Sequence, residues 1–319
     1  MSGEPRVPFR AAAVFCMLLT SCAHAGDPQT LASGFHSLYS PFLFGERLYM
    51  GGWQRLPERV PWPDRLFQAR RSGEGWTKPV PLRWSGGREH GGRAGEVPGF
   101  HANDPVVVRD PESGRLVLLY TAFANDAVDP LGCDPTVNPL DCLDTRRNAV
   151  AWMTSKDEGK SWTDRGVLLR SEDGALSPAA VVRGENLWVY YMDANLPVEA
   201  SGLWRQRVNL LGMIPVGGPQ RLLHPGTGMS NVDVSIVGER FFLVGNRART
   251  SRVVLYESAD GVLFREPACH ANPVVEVNGV RLHGPHIESV SPLRILTGYD
   301  EGGGSARIVR FTITSVCAA

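Results

Sequence analysis

The sequence predicts an all-β chain folded as a five-bladed β-propeller, and three observations carry that prediction. Apolar runs of strand length, bounded by Gly, Pro, Asp and Asn, recur along the chain while helical periodicity is nearly absent. A unit made of a short apolar run, often after a proline, then a turn and a second apolar run, occurs five times. Units of about 50 to 70 residues suit three or four antiparallel strands each, and radial repetition of such sheets builds a propeller.

Taken in order, the first unit opens at Ser40 with "SPFLFGERLYMGGW" and the second at Asp104 with "DPVVVRDPESGRLVLLYTAF". The second shows the pattern best. Pro105 follows an acid, Val106 to Val108 are apolar, Asp110 to Gly114 form a turn, and the chain returns from Leu116. A residue before proline is biased toward an extended conformation, and proline is tolerated at the first position of a strand. Asp104 is therefore expected, extended, at the opening of its strand rather than in the middle. The third unit opens at Ser177 ("SPAAVVRGENLWVYYMDAN"), the fourth at Val232 ("VDVSIVGERFFLVGNRA") and the fifth at Gly284 ("GPHIESVSPLRILTGYD"). Each of the first four is followed by a third strand. Inner strands of a propeller line a central channel, so the five openings converge on one mouth, with Asp104 at its floor.

Turns after third strands carry a pattern of their own. "SKDEGKSW", Ser155 to Trp162, fits the Asp-box Ser-x-Asp-x-Gly-x-x-Trp, and "SADGVLF" from Ser258 and "SGEGW" from Ser72 are shortened versions. An Asp side chain accepts turn amides, Gly supplies a positive dihedral, and the aromatic packs between sheets. The expected role is structural.

The N-terminus "MSGEPRVPFRAAAVFCMLLTSCAHAG" places Arg6 and Arg10 before the apolar run Ala11 to Leu19 and then small residues, in the order of a secretory signal over residues 1–25. Two exits compete: cleavage after "AHA", or a lipobox-like "LTSC" that would lipidate Cys22. Residues 26–319 then form a single exported propeller domain, periplasmic, secreted or lipid-anchored, and contact with a membrane runs only through Cys22. Outside the leader stand Cys133, Cys142, Cys269 and Cys317, which admit three pairings. Cys133 with Cys142, inside one turn-rich insertion, is the local choice, leaving Cys269 with Cys317. Lys plus Arg and Asp plus Glu are equal at 33 each, with no basic run, so nucleic acid is not an expected partner.

On these features the chain resembles the five-bladed glycoside hydrolases of the family 43 and family 32 superfamily, over residues 36–315. The resemblance implies a carbohydrate partner. It also implies a carboxylate base or nucleophile on the first inner strand, a modulating Asp in an Asp-Pro pair on the second, and an acidic Glu on the third. Asp104-Pro105 matches the second position. Ser40 and Ser177 stand at the first and third, where neither can act as the carboxylate of a two-carboxylate mechanism.

Displaced chemistry would fall to Asp233 and His286, which with Asp104 are the catalytic candidates. Strand alternation puts Glu288 on the same face as His286. Candidates for holding a saccharide are Tyr39, Trp53, Asn103, Asp193, Asn246, Arg247, His283 and Glu288, because aromatic faces stack on sugar rings and polar groups satisfy hydroxyls. The plainer alternatives are blade packing for Trp53 and turn capping for Asp233. No cofactor is expected, although His283 is compatible with a structural ion or water in the channel. Two functions compete: an exported glycoside hydrolase-like enzyme, and a non-catalytic propeller binding a glycan or envelope partner. A lyase using Tyr39 and His286 stays open; a sialidase needs six units and an arginine triad.

Overall fold

The computed structural model describes residues 25–35, 37–53, 65–85, 101–123, 148–193, 202–222, 229–247, 251–268, 270, 272–302 and 306–313. The leader with Cys22, and Cys133, Cys142, Cys269 and Cys317, lie outside the described residues, as does the side chain of Trp53.

Strand β1 (Gln29–Phe35) precedes the first blade, which holds β2 (Ser37–Phe44), β3 (Arg47–Trp53), β4 (Arg65–Ser72), β5 (Gly75–Trp76) and β6 (Val80–Pro81). The second contains β7 (Trp84–Ser85), β8 (His101–Arg109), β9 (Leu116–Phe123), β10 (Ala149–Ser155) and β11 (Trp162–Leu169). The third runs through β12 (Ala175–Arg183), β13 (Asn186–Asp193), β14 (Leu203–Asn209) and β15 (Ile214–Arg221). The fourth has β16 (Met229–Val237), β17 (Arg240–Arg247), β18 (Arg252–Ser258) and β19 (Val275–Glu276). The fifth comprises β20 (Arg281–Val290), β21 (Leu293–Asp300) and β22 (Ala306–Ile313), with β1 as its outer strand.

This is the predicted five-bladed propeller, all β among the described residues. The sequence reading assigned β1 to no unit; it pairs antiparallel with β22, with Gln29 opposite Arg310, and so joins the two ends of the ring. Nothing local distinguishes "QTLASGF" as a strand, because its partner lies nearly the whole chain away.

Five hydrophobic clusters fill the five interfaces between neighbouring sheets. Between blades 1 and 2, for instance, Tyr49 and Leu66 meet Leu118, Tyr120 and Trp162; the closing interface packs Leu48 and Met50 against Leu296 and Ile308. Sheets covered on both faces need apolar residues at successive positions, hence the unbroken apolar runs.

Each inner strand is interrupted at one equivalent place. Ser40, Asp104, Ser177, Asn231 and Gly284 all have positive φ, between 46° and 58°. The ladder to the second strand skips there in every blade: between Tyr39 and Phe42, Asn103 and Val106, Leu176 and Ala179, Ser230 and Val232, and His283 and His286. These are β-bulges. Two expectations change as a result. Asp104 is neither extended nor at the opening of its strand: it is the fourth residue of β8, with φ 49°. The bulge relieves Pro105 of ladder duty, which lets proline sit inside an inner strand. The fourth unit is also displaced by one, since Asn231, not Val232, is the equivalent of Ser40, Asp104, Ser177 and Gly284.

Candidate functional site

The five bulges form a ring across the channel, and Asp104 is its hub. Ser40 Oγ donates to Asp104 Oδ1 from blade 1. Ser177 Oγ of blade 3 and Thr121 Oγ1 of β9 donate to Oδ2 at 3.0 and 3.1 Å. From blade 4, Asn231 Nδ2 reaches Oδ1 at 3.4 Å and Ser177 Oγ at 3.0 Å. An ionised carboxylate only accepts, so donors converging from four blades suit this buried position. The backbone joins in: Ser177 N donates to Thr121 Oγ1 at 2.8 Å, and Gly284 N donates to Asn246 Oδ1 at 2.9 Å. In both, a polar side chain on one blade's second strand accepts the amide of the next blade's bulge residue.

Two residues further along their strands, Asp233 and His286 form a buried couple. His286 Nδ1 lies 2.8 Å from Asp233 Oδ2, and Ile287 N donates to the same oxygen at 3.0 Å. Phe42, at the matching place in blade 1, lies against the imidazole with ring centroids 4.3 Å apart. The bulge residues, their prolines and Asp233 line a half-open depression of about 20 Å³, room for about one water.

Other candidates are placed around this hub or away from it. The Tyr39 ring lies over Gly51, where a Cβ would come within 2.6 Å of it, so glycine is required for that stacking. Asn103 is buried beside Asp104, and its Oδ1 accepts no hydrogen bond among the described residues. Asn246 joins the ring through Gly284, its Nδ2 buried and likewise without an acceptor. Half-buried His283 precedes the fifth bulge, and desolvation lowers its pKa below the ordinary imidazole value.

Asp193 takes hydrogen bonds from Gly202 N (3.0 Å) and Trp204 Nε1 (2.8 Å), which ties β13 to β14 within one blade. Arg247 is exposed at the end of β17. Glu288 makes a bidentate pair with Arg310, at 2.6 and 2.5 Å, which ties the inner strand β20 to β22 within blade 5. Trp53 is the last residue of β3.

Two members of the hub escaped the sequence reading. Asn231 could have been found by aligning the fourth unit one residue earlier, since Asn tolerates positive φ as few residues do. Thr121 carries no signal, being an ordinary strand residue. Among the described residues, no three His, Cys, Asp or Glu side chains gather to hold a metal ion.

No family model and no curated protein matches the chain. Solved structures do match, over nearly its whole length. A thermostable family-43 glycoside hydrolase superimposes with a TM-score of 0.61 at 12% identity, covering 89% of this chain and 90% of that one. An N-acetylgalactosamine deacetylase from F. plautii, solved with blood group B trisaccharide, gives 0.59 at 12%, over 92% and 93%. A Bacillus subtilis arabinanase gives 0.58 at 13%, over 90% and 97%. At such identities the likeness is one of fold, and the first two proteins differ in the bond they break.

Proposed function

We propose that the chain is an exported carbohydrate-active propeller that recognises a poly- or oligosaccharide at the channel mouth above Asp104, without cleaving it by the two-carboxylate route. The observation that carries this reading is the engagement of Asp104. The one carboxylate matching the glycoside hydrolase pattern is tied to Ser40, Thr121, Ser177 and Asn231. Two of these partners are the serines standing where the resemblance expects the acid and the base. Hydrolysis needs a proton donor and a base or nucleophile flanking the bond; a ring of hydroxyls and an amide around one carboxylate suits recognition instead. The fold does not by itself choose between these uses.

A second reading rests on the Asp233–His286 couple, in which a carboxylate orients an imidazole 2.8 Å away. Such a pair is chemically able to act as a general base for hydrolysis or deacylation if a substrate reaches it.

A glycan array probed with the protein, followed by mass spectrometry of products from every bound glycan, tests both. Binding without products is the expected outcome. Release of new reducing ends or of acetate overturns the binding reading, and Asp233→Asn compared with Asp104→Asn then identifies the carboxylate responsible. An array without hits removes the saccharide altogether. Export is proposed from the leader, and the mass of the mature N-terminus distinguishes cleavage before Gly26 from lipidation at Cys22.

A further inference from the structure

At the end of the sheets opposite the mouth, where the β2–β3, β8–β9 and β10–β11 turns lie, blades 1 and 2 leave a cleft of about 490 Å³. Its lining sets the cations Arg47, Arg70, Arg71, Arg109 and Lys160 against the carboxylates Glu46 and Glu158. Two of the cations are fixed. Arg109 donates to both oxygens of Glu158, at 2.9 and 2.6 Å, and to Gly114 O at 2.9 Å, with its guanidinium 5.6 Å from the centre of the Phe44 ring. Buried Arg47 donates to Glu158 O at 2.7 Å and Gln68 Oε1 at 2.9 Å. Glu158 is thus paired with Arg109 at the solvent-exposed rim of the cleft.

Arg70, Arg71 and Lys160 are exposed, and among the described residues their side chains make no hydrogen bond or ion pair. Of the lining carboxylates, Glu46 opposes them, and Glu158 is already engaged by Arg109. Successive strand residues project to opposite faces, so Arg70 shares the face of Leu66 and Gln68 that turns to blade 2 and the cleft, while Arg71 stands opposite Trp76 on the other face. A guanidinium fork matches an oxyanion bidentately and an ammonium adds a point charge. The volume falls within the ~300 to 1,000 Å³ of small-molecule sites, much more than a bare phosphate fills.

We propose that this cleft binds an anionic ligand of sugar-phosphate size, its phosphate held by Arg70 and Lys160 over a wall fixed by Arg47 and Arg109. The site lies on the other end of the fold from Asp104 and does not depend on the function proposed for the mouth.

The test is calorimetric titration of the intact protein with glucose 1-phosphate, inorganic phosphate and glucose, together with co-sedimentation with phosphatidylglycerol vesicles. Glucose 1-phosphate is expected to bind and glucose not. Affinity should fall at least tenfold in the double variant Arg70→Ser/Lys160→Ser, fall with added salt as screening requires, and stay unchanged in Arg221→Ser, an exposed cation of β15 away from the cleft. These residues are exposed, so the variant should keep its melting temperature; Lys160→Ser alone, with a smaller loss, serves if it does not. Binding of inorganic phosphate or of vesicles, with the same loss in the variant, also supports the site and identifies a free ion or a lipid headgroup as the source of the phosphate. Failure of all three anionic probes, or binding that the variants leave unaltered, overturns it.

Discussion

Two carboxylates in this propeller are surrounded by hydrogen-bond donors in opposite ways. Asp157, in the turn after β10, is served by its neighbours: Ser155 Oγ at 2.7 Å, Lys160 N at 3.1 Å, and Ser161 through N at 2.9 Å and Oγ at 2.6 Å. Asp104 is served by Thr121, Ser40, Ser177 and Asn231, which lie 17, 64, 73 and 127 positions away. The first carboxylate shapes one turn; the second ties four blades together. The Ser258 turn repeats the local solution, with Val262 N and Leu263 N on Asp260 Oδ1. Among the described residues nothing repeats the hub.

The largest expected effect therefore belongs to Asp104→Ala. It would leave buried hydroxyl and amide donors without an acceptor, at ~1–3 kcal/mol each, and place alanine at φ 49°. We expect a loss of about 4 kcal/mol in urea denaturation, with Asp104→Asn losing about half of that. A cost no larger than that of Asp157→Ala would break the comparison, since the hub would then not be a tie between blades.

Next is Gly159→Ala. Gly159 has φ 73°, and a Cβ there would run into Tyr49 Oη beside Trp162. Strain and clash together should cost about 2–3 kcal/mol. If Gly159→Ala proves neutral, the turn is not locked against blade 1.

Asp157→Ala should cost about 1–2 kcal/mol, as expected for a turn whose amides return to water. Its pH dependence sharpens the point. Hydrogen bonds from Ser161 hold the Asp157 carboxyl well below the ordinary carboxylate range. The folded value thus lies below the unfolded one of about 3.9, so the stabilisation is complete above about pH 4 and is lost as acid titrates the folded group. The gap between the parent and Asp157→Asn, read by denaturation at pH 7 and again near pH 3, should narrow in acid. A gap independent of pH would show that charge has no part in the turn.

The smallest effect is expected at Gly45→Ala, in the β2–β3 turn. φ is 57° there, but nothing lies within 4 Å of the added methyl. Backbone strain alone gives about 1 kcal/mol. A loss as large as at Gly159 would mean that the steric argument there is wrong.

The sequence by itself determined the number of blades, the hairpin of each inner strand with its second strand, and the residues of the Ser155 turn. All of these are local: apolar runs, turn residues and short spacings act over a few positions, so they can be read in order along the chain. It also picked out Asp104, Ser40 and Ser177 as belonging together, because a proline follows each, and it misplaced the fourth member because Val232 stands where the others have proline. What only the tertiary structure decided is where these residues point and what they touch. The bulge that gives Asp104 a positive φ, the approach of Thr121 and Asn231, the Asp233–His286 couple and the pairing of β1 with β22 all arise when the ring closes. The physical reason is that a propeller brings its inner strands to one axis, so the partners at that axis are set by blade geometry and not by distance along the chain.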